Sequence, residues 1–598
     1  MQKENNKICK TVSTIWYCIQ FAWESSNGYT IGGIALSLIS IVIPFCSLYL
    51  SKVLLDSFTN INQTEAMKVV GILLLTYVLS ITNITVTKTF RYMQTVHNDL
   101  MENRIQTEFM EKSMALDLEF FDNPVYVDAM QAARMDASAI PNIMWNVMSA
   151  FNGMLSLFSA FVFLSKENWL LALIVVVSGI PYSYFNQKHA NDIYKWRMCH
   201  VGEERQLGHI QMIAGSRTFA CDVRVFGIEE YLLDRYKKIY DVLIYGRKHM
   251  RKKQLIAGIV SGIMPEICAL IIMIYITQGI FSGRNTLGDY TLFTGLLSTL
   301  IASLSAVTMG IAHIYEDKLK VDTVKRFKGQ ENHVLDEGKL HLDNISEIEF
   351  RNVSFHYPDT EYEVLKDISF CVHKGEKVCL VGANGAGKST IIKLVLRFYD
   401  VTQGQVLING IDIREYTLAS VRNGFSTLFQ QYDKMAFSLR ENIMLSDIKK
   451  EKCSDQDVIE ALKQAGAIRI LEKVNYNLDA PLSRLFDSHG LELSGGEMQK
   501  VGLARAIYRL RTAIIFDEPS AALDPVSETK LFEYLQEYLK GKTTIFTTHR
   551  MNTVHLADKI IVVKGGYVCE NGTHEELLKL NGIYAELFKV QAEKFKVA

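Results

Sequence analysis

Six mostly apolar runs crowd the first half of this 598-residue chain: Gly28–Leu55, Val69–Phe90, Val147–Leu164, Trp169–Phe185, Leu255–Phe281 and Tyr290–Ile314. Each is near the length that crosses about 30 Å of hydrocarbon, so the spacing predicts a helical, six-span membrane domain over residues 28–317. Residues 1–27 are expected to form a cytoplasmic tail. They carry Lys3, Lys7, Lys10 and Glu24 ahead of a run longer than a signal-peptide core, which reads as a retained first span.

Charge orients the spans. Lys188–Lys253 holds Lys195, Arg197, Arg205, Arg224, Arg235, Lys237, Lys238, Arg247, Lys248, Arg251 and Lys252, while the opposite side shows only the links Asn60–Glu65, Lys166–Asn168 and Ser282–Asp289. The positive side is expected in the cytoplasm, together with both termini. The whole chain carries a net charge of -1 from 64 basic and 65 acidic residues, which points to no nucleic-acid partner. Its ten cysteines show no C-x-x-C spacing, so neither a disulfide nor a metal framework is expected from them.

The links between spans two and three and between spans four and five are long and contain few helix breakers, so the spans are expected to continue as long cytoplasmic helices. Each link has one interruption, Phe120-Phe121-Asp122-Asn123-Pro124 in the first and Val223-Arg224-Val225-Phe226-Gly227 in the second. These aromatic-tipped turns are candidates to rest on a second domain; the alternative is an ordinary helix corner. Residues 318–341 are charged and lack a strong apolar face, as a connection would.

From Leu342 onward, β-like and helical runs alternate, which predicts an α/β domain over 342–598. Glu347–His356 and Lys377–Val381 read as strands, and the second runs into Gly382-Ala383-Asn384-Gly385-Ala386-Gly387-Lys388-Ser389, a complete G-x-x-x-x-G-K-[ST] sequence. Thr390–Tyr399 reads as the helix that follows. The chemistry needs each residue type. Gly382, Gly385 and Gly387 let the backbone curl with its N–H groups inward, Lys388 places a positive charge on β- and γ-phosphates, and Ser389 offers a hydroxyl to Mg2+. Asn384, Ala386 and Thr390 complete the nucleotide-binding segment. Ala513–Phe516 is an apolar strand ending in Asp517 and Glu518; the first carboxylate suits the magnesium shell and the second suits an attacking water.

With these motifs in order, the chain resembles an exporter-type half-transporter of the ATP-binding cassette (ABC) family. The most specific support is Leu493-Ser494-Gly495-Gly496-Glu497, which resembles the family signature, with Gln499 after it. The resemblance covers nearly the whole chain and implies a six-span helical membrane domain followed by an α/β P-loop nucleotide-binding domain, the type I exporter, or type IV transporter, fold. It implies ATP and Mg2+ as ligands, with Ser389, Gln430 and Asp517 around the metal. Tyr357 resembles the aromatic residue that stacks on adenine, Gln430 the glutamine that senses γ-phosphate and magnesium, and His549 the switch histidine; Glu518, His549 and Gln430 form the expected catalytic set. Ala522-Leu523-Asp524 resembles the loop joining two cassettes. Gln431 departs from the pattern, because such exporters commonly carry an acidic residue there.

In this family the signature of one subunit closes over the γ-phosphate held by another. Two facing anion cradles require two domains, so Ser494, Gly495, Gly496 and Glu497 are expected to serve the partner's ATP. A homodimer is the simplest closure, with a heterodimer as the alternative. The resemblance implies ATP-driven export of a peptide, lipid or amphipathic small molecule from a cell membrane, through a bilayer whose lipids are also contacts. The alternatives are an exporter-shaped importer of a metal-chelating molecule and an ATP-gated channel or regulator. Glu266, after Pro265 in an apolar run, is a candidate for a cationic cargo or for a helix–helix hydrogen bond.

Overall fold

The computed structural model describes the backbone at residues 2–59, 66–358, 360–430, 435–448, 454–519, 536, 538–548 and 550–596. Gln431, Ala522-Leu523-Asp524 and His549 lie outside the described residues. The chain divides into two compact units: residues 1–115 with 124–330, and residues 116–123 with 331–598.

The first unit is helical: α1 (Gln2–Ser25), α2 (Asn27–Thr59), α3 (Ala66–Ala115), then, beyond the short helix α4 (Glu119–Asp122) of the second unit, α5 (Pro124–Asp136), α6 (Ala139–Ser178), α7 (Ile180–Cys199), α8 (Val201–Gly215), α9 (Ala220–Phe226), α10 (Glu229–Phe281) and α11 (Leu287–Lys328). Among the described residues, five helical stretches are long and apolar enough to cross a membrane: Asn27–Phe58, Met67–Ala115, Val125–Ser165, Glu229–Phe281 and Leu287–Lys328. The long helical extensions expected from the sequence are present in α3 and α10, of 50 and 53 residues. The region expected as the fourth span differs. Lys166–Asn168 is helical, not a link, and the break falls at Gly179, dividing Trp169–Phe185 between α6 and α7. Pro181 explains the position, because a proline lacks the N–H that the previous turn would bond and clashes with that turn's carbonyl.

Packing in this unit runs through small residues. A Cβ on Gly310 of α11 would lie 2.9 Å from the Cβ of Ala150 on α6, so the two helices approach as closely as bare backbone allows. Leu164, Ile272, Ile276, Phe293, Leu296 and Leu300 fill a buried cluster across α6, α10 and α11. Helix α11 continues to Lys328, so the first part of the stretch expected as a connection is instead its C-terminal end, with Lys325, Arg326 and Lys328 in the last turn, where cations complement the helix dipole. The second interruption ends at Gly227, whose φ of 59° caps α9 in the left-handed region that glycine adopts without a Cβ penalty.

The second unit is an α/β domain with two sheets. One has the order β2-β1-β4-β5, built from β1 (Glu347–His356), β2 (Glu363–His373), β4 (Gln403–Ile408) and β5 (Ile411–Asp412), all antiparallel. The other has the order β10-β9-β3-β8-β7-β6, from β3 (Lys377–Val381), β6 (Phe425–Leu428), β7 (Ala513–Asp517), β8 (Thr543–Thr547), β9 (Lys559–Lys564) and β10 (Tyr567–Gly572). Strands β9, β3, β8, β7 and β6 run parallel and β10 antiparallel. Parallel strands covered on both faces read as continuous apolar runs, as in Ala513–Phe516. Their alternation feeds two cores: Cys379, Ile514, Phe516 and Phe546 face one, and Val378, Leu380, Ile515 and Ile545 the other. Helix α12 (Lys388–Val395) packs Ile391, Ile392 and Val395 into the second core. Its range corrects the expected Thr390–Tyr399: the helix starts directly after Gly387 and stops before Arg397, whose φ is 49°. Helices α13 (Leu418–Asn423), α14 (Leu439–Met444), α15 (Asp455–Gln464), α16 (Ile468–Lys473) and α17 (Gly495–Arg509) complete the part that frames the site.

The first aromatic turn belongs to this second unit. Val334 N donates to Asp117 Oδ2 at 2.9 Å, Phe120 is buried and tilted against His333, and Asp122 Oδ2 accepts from Tyr399 Oη at 2.6 Å and from Lys393 Nζ at 3.1 Å. Residues 116–123 therefore dock on the chain's own α/β domain, on the surface at the end of α12.

Candidate functional site

The tips of three neighbouring parallel strands converge, the usual place for a ligand in such a sheet. From β3 comes the loop Gly382–Gly387, in which Gly385 and Gly387 have φ of 77° and 106°. A Cβ on Gly387 would lie 2.5 Å from Leu365 Cδ2, so both backbone conformation and space require glycine there. The loop leads directly into the first turn of α12, whose unpaired N–H groups point where an anion would sit.

From β7 comes Asp517, 6 % exposed, whose Oδ1 accepts from Ser389 Oγ at 3.3 Å and Thr547 Oγ1 at 2.7 Å. Glu518 follows at φ 53°, a conformation uncommon for a residue with a Cβ, and its N–H donates to Thr547 Oγ1 at 2.9 Å. That turn aims the carboxylate away from the strand, where Gln430 Nε2 donates to Glu518 Oε2 at 2.8 Å. Below the turn, Gln499 Nε2 donates to Pro519 O at 2.6 Å. Thr547 and Gln499 thus hold the two-carboxylate turn from β8 and α17. Neither was assigned a role from the sequence, although Thr547 stands two residues before His549 at the end of the buried strand β8.

A cavity of about 650 Å3 lies over the loop, lined by Tyr357, Val364, Asn384, Gly385, Ala386, Gly387, Lys388, Ser389, Thr390, Gln430 and Glu518. Lys388 Nζ donates to Gly382 O at 2.9 Å and Ala383 O at 3.1 Å. Burial pulls its ammonium below the usual lysine range, against the opposing pull of Glu518 and Asp517. At the other end Tyr357 shares a hydrogen bond of 3.1 Å with Thr390 Oγ1, while Phe355 and Tyr399 meet its ring edge-on at centroid distances of 5.1 and 5.3 Å. The ring is thereby fixed as one wall of the cavity.

Ser494, Gly495, Gly496 and Glu497 do not line this cavity. Ser494 caps α17: Glu497 N donates to Ser494 Oγ at 3.3 Å, and Ser494 N donates back to Glu497 Oε2 at 3.0 Å. Lys473 pairs with Glu497 at 2.5 Å.

A family model described as ABC transporter matches residues 365–521, and one described as ABC transporter transmembrane region matches residues 30–304. The ATP-dependent lipid A-core flippase of Escherichia coli (strain K12) is 30% identical over 445 residues, 73% of this chain and 74% of that protein. The chain belongs to the ABC transporter family. Another relative, the subtilin transport ATP-binding protein SpaT of Bacillus subtilis, is 29% identical over 557 residues, 93% of this chain and 90% of that protein. A solved structure titled as a bacterial Atm1-family ABC exporter with ATP bound superposes with a TM-score of 0.80 at 23% identity, covering 95% of this chain and 98% of that one. This ABC transporter therefore has an exporter fold, with a helical membrane region and an α/β nucleotide-binding domain in one chain. It hydrolyses ATP to drive transport across a membrane.

Proposed function

We propose that two copies of this chain form a homodimer in which each ATP lies between the loop of one cassette and the Ser494–Glu497 segment of the other. The observation that carries this reading is the coexistence, in one chain, of a full loop with Asp517 and Glu518 and a full Ser494-Gly495-Gly496-Glu497 cradle that stands outside the loop's cavity. Intact motifs of both kinds let a chain complete two sites by pairing with itself. In that assembly Tyr357 stacks on adenine, Lys388 neutralises β- and γ-phosphates, and Glu518 polarises the attacking water. Gln430, now hydrogen-bonded to Glu518, and His549 complete the γ-phosphate environment.

Mg2+ fits the donors present. Ser389 Oγ and Asp517 Oδ1 are hard oxygen ligands 3.3 Å apart, and Gln430 offers an amide oxygen on the adjoining wall. When bound, the ion neutralises charge developing on the transferred phosphoryl oxygens. Ser494 must turn its hydroxyl from Glu497 to a phosphate as the cassettes close. That exchange trades the charge-assisted bond from Ser494 Oγ to Glu497 Oε2 at 3.0 Å for one to the phosphate, while Oγ can go on accepting from Glu497 N.

For cargo, the membrane unit holds a cavity of about 620 Å3 among α2, α3, α6 and α11, with Phe45, Gln94, Trp145, Asn152, Ser156 and Thr299 on its wall. Among the described residues, no charged side chain lines it. Asn152 Oδ1 is buried there with no hydrogen-bond partner among the described residues, an acceptor placed for an incoming N–H. Such a wall favours an amphipathic molecule with apolar bulk and neutral amide groups, so the cargo is read as a peptide, in keeping with the subtilin relative. Glu266 is exposed on α10 and does not line this cavity. The cassettes and both termini lie in the cytoplasm, on the side of the basic Lys188–Lys253 stretch.

Vesicles with the cassettes outside and an amphipathic peptide in the medium test this directly. ATP should drive the peptide inward, and Asn152→Leu should raise the half-saturating peptide concentration by about two- to tenfold, the worth of one hydrogen bond. ATP-driven movement of labelled lipid with no peptide movement would favour the lipid reading.

A further inference from the structure

We propose that the open end of the β1–β2 hairpin carries a binding site for a borderline divalent cation of the Zn2+ class, built from Glu347, Cys371 and His373. The strand pairing creates it. Ile348, Phe350, Phe370 and Val372 point into the core, so the period of two places Glu347, Glu349, Cys371 and His373 together on the opposite face. In the antiparallel register Glu347 stands across from His373, and Glu349 across from Cys371. The turn after β2 is fixed by His373 N donating to Glu376 Oε2 at 2.8 Å.

The three donor atoms lie within a few tenths of an ångström of the separations that a tetrahedral ion requires. Cys371 Sγ lies 3.3 Å from Glu347 Oε1 and 3.8 Å from His373 Nδ1, and His373 Nδ1 lies 3.3 Å from Glu347 Oε1. Bond lengths of about 2.3 Å to sulfur and about 2.0–2.1 Å to nitrogen and oxygen, at tetrahedral angles, place such donors roughly 3.3–3.6 Å apart. The set converges without rebuilding the backbone. A thiolate, an imidazole and a carboxylate suit Zn2+ far better than Mg2+ or Ca2+, which take oxygen donors. Glu349 is already forked to Arg351 at 3.0 and 2.8 Å, so three protein ligands and a solvent-facing fourth position result. Burial and Glu347 push the Cys371 thiol up to about 12, so the metal-free group is a thiol and binding releases its proton.

The site lies at the end of the hairpin opposite Tyr357, outside the nucleotide cavity. It therefore clamps the first residues of β1 to the last residues of β2, and its expected effect is on the stability of this sheet.

The test is Co2+ titration of the full-length protein in lipid nanodiscs after treatment with a chelator, followed by competition with Zn2+. One equivalent per chain should bind with thiolate-to-cobalt charge-transfer absorption that Zn2+ abolishes. Cys371→Ser should remove that absorption, and His373→Ala should weaken binding by more than about tenfold. Cys569→Ser, at an exposed cysteine elsewhere in the domain, should change neither. Retained ATP hydrolysis in Cys371→Ser establishes that the variant is folded. Absence of the absorption in the unsubstituted protein, or its persistence in Cys371→Ser, would overturn the site.

Discussion

Glu518→Gln should bind MgATP about as tightly as the unsubstituted protein and lose hydrolysis by a factor on the order of 10²–10⁴, the usual contribution of a positioned general base. The substitution keeps the size of the side chain and a carbonyl oxygen to accept from Gln430 Nε2, which now lies 2.8 Å from the carboxylate. The backbone turn is unaffected, because it depends on φ at residue 518 and on the Thr547 hydroxyl, not on the carboxylate. What disappears is the negative charge facing an attacking water. With binding intact and turnover blocked, the cassettes should accumulate in a closed state and the membrane helices should lean outward-open. Nucleotide titration, steady-state hydrolysis and spin-label distances on one preparation check all three expectations. Near-normal hydrolysis would remove Glu518 from the catalytic role.

Lys388→Met should reduce ATPase kcat/KM by on the order of 10²–10³-fold, because it leaves buried phosphate charge without its partner. Lys388 is 6 % exposed, and its ammonium reaches two loop carbonyls at 2.9 and 3.1 Å. These local bonds are weak competitors for a triphosphate, so the side chain is free to transfer to a ligand while remaining in the cavity. Tyr357→Ala, by comparison, removes one aromatic face and should cost about tenfold, mainly in binding. The two substitutions therefore separate the phosphate end of the site from the base end. Equal losses in parallel titrations and ATPase assays would contradict this division.

How much of this was legible in the sequence depended on whether the decisive contacts were local. Gly382–Ser389 is contiguous, so its strand, turn and helix start could be read directly, and the structure moved only the helix, to Lys388–Val395. The strand ending in Asp517 and Glu518 was also legible, because a fully buried parallel strand is an uninterrupted apolar run. The bond from Gln430 to Glu518 joins residues 88 apart, and nothing in their spacing predicts it. Thr547 was passed over for the same reason: a threonine at a strand end carries no distinctive signal until β8 is placed beside β7. Phe120–Pro124 read as a docking turn with an ordinary helix corner as the alternative, and only the tertiary bonds of residues 116–123 to Val334, Lys393 and Tyr399 decide between these. In the membrane unit, apolar composition located helices but not the break between two of them, since the Lys166–Asn168 charges remained helical and Pro181 set the boundary instead. Cysteine spacing likewise gave no hint of Glu347, because its partners Cys371 and His373 meet it across a strand pair.

The central claim is that each ATP is shared between two chains, and cross-linking with differently tagged copies tests it most directly. One copy carries Ser494→Cys and the other Asn384→Cys, both with Glu518→Gln and with the remaining cysteines replaced. The shared-site account predicts a disulfide joining the two tags when MgATP is present and little without it. A control chain carrying both substitutions, diluted with an excess of cysteine-free copies, should then lose its cross-link. If that control instead forms an intrachain disulfide as readily at high dilution, and the tagged pair forms none with ATP, the loop and the Ser494 cradle belong to the same chain's site and the account is wrong.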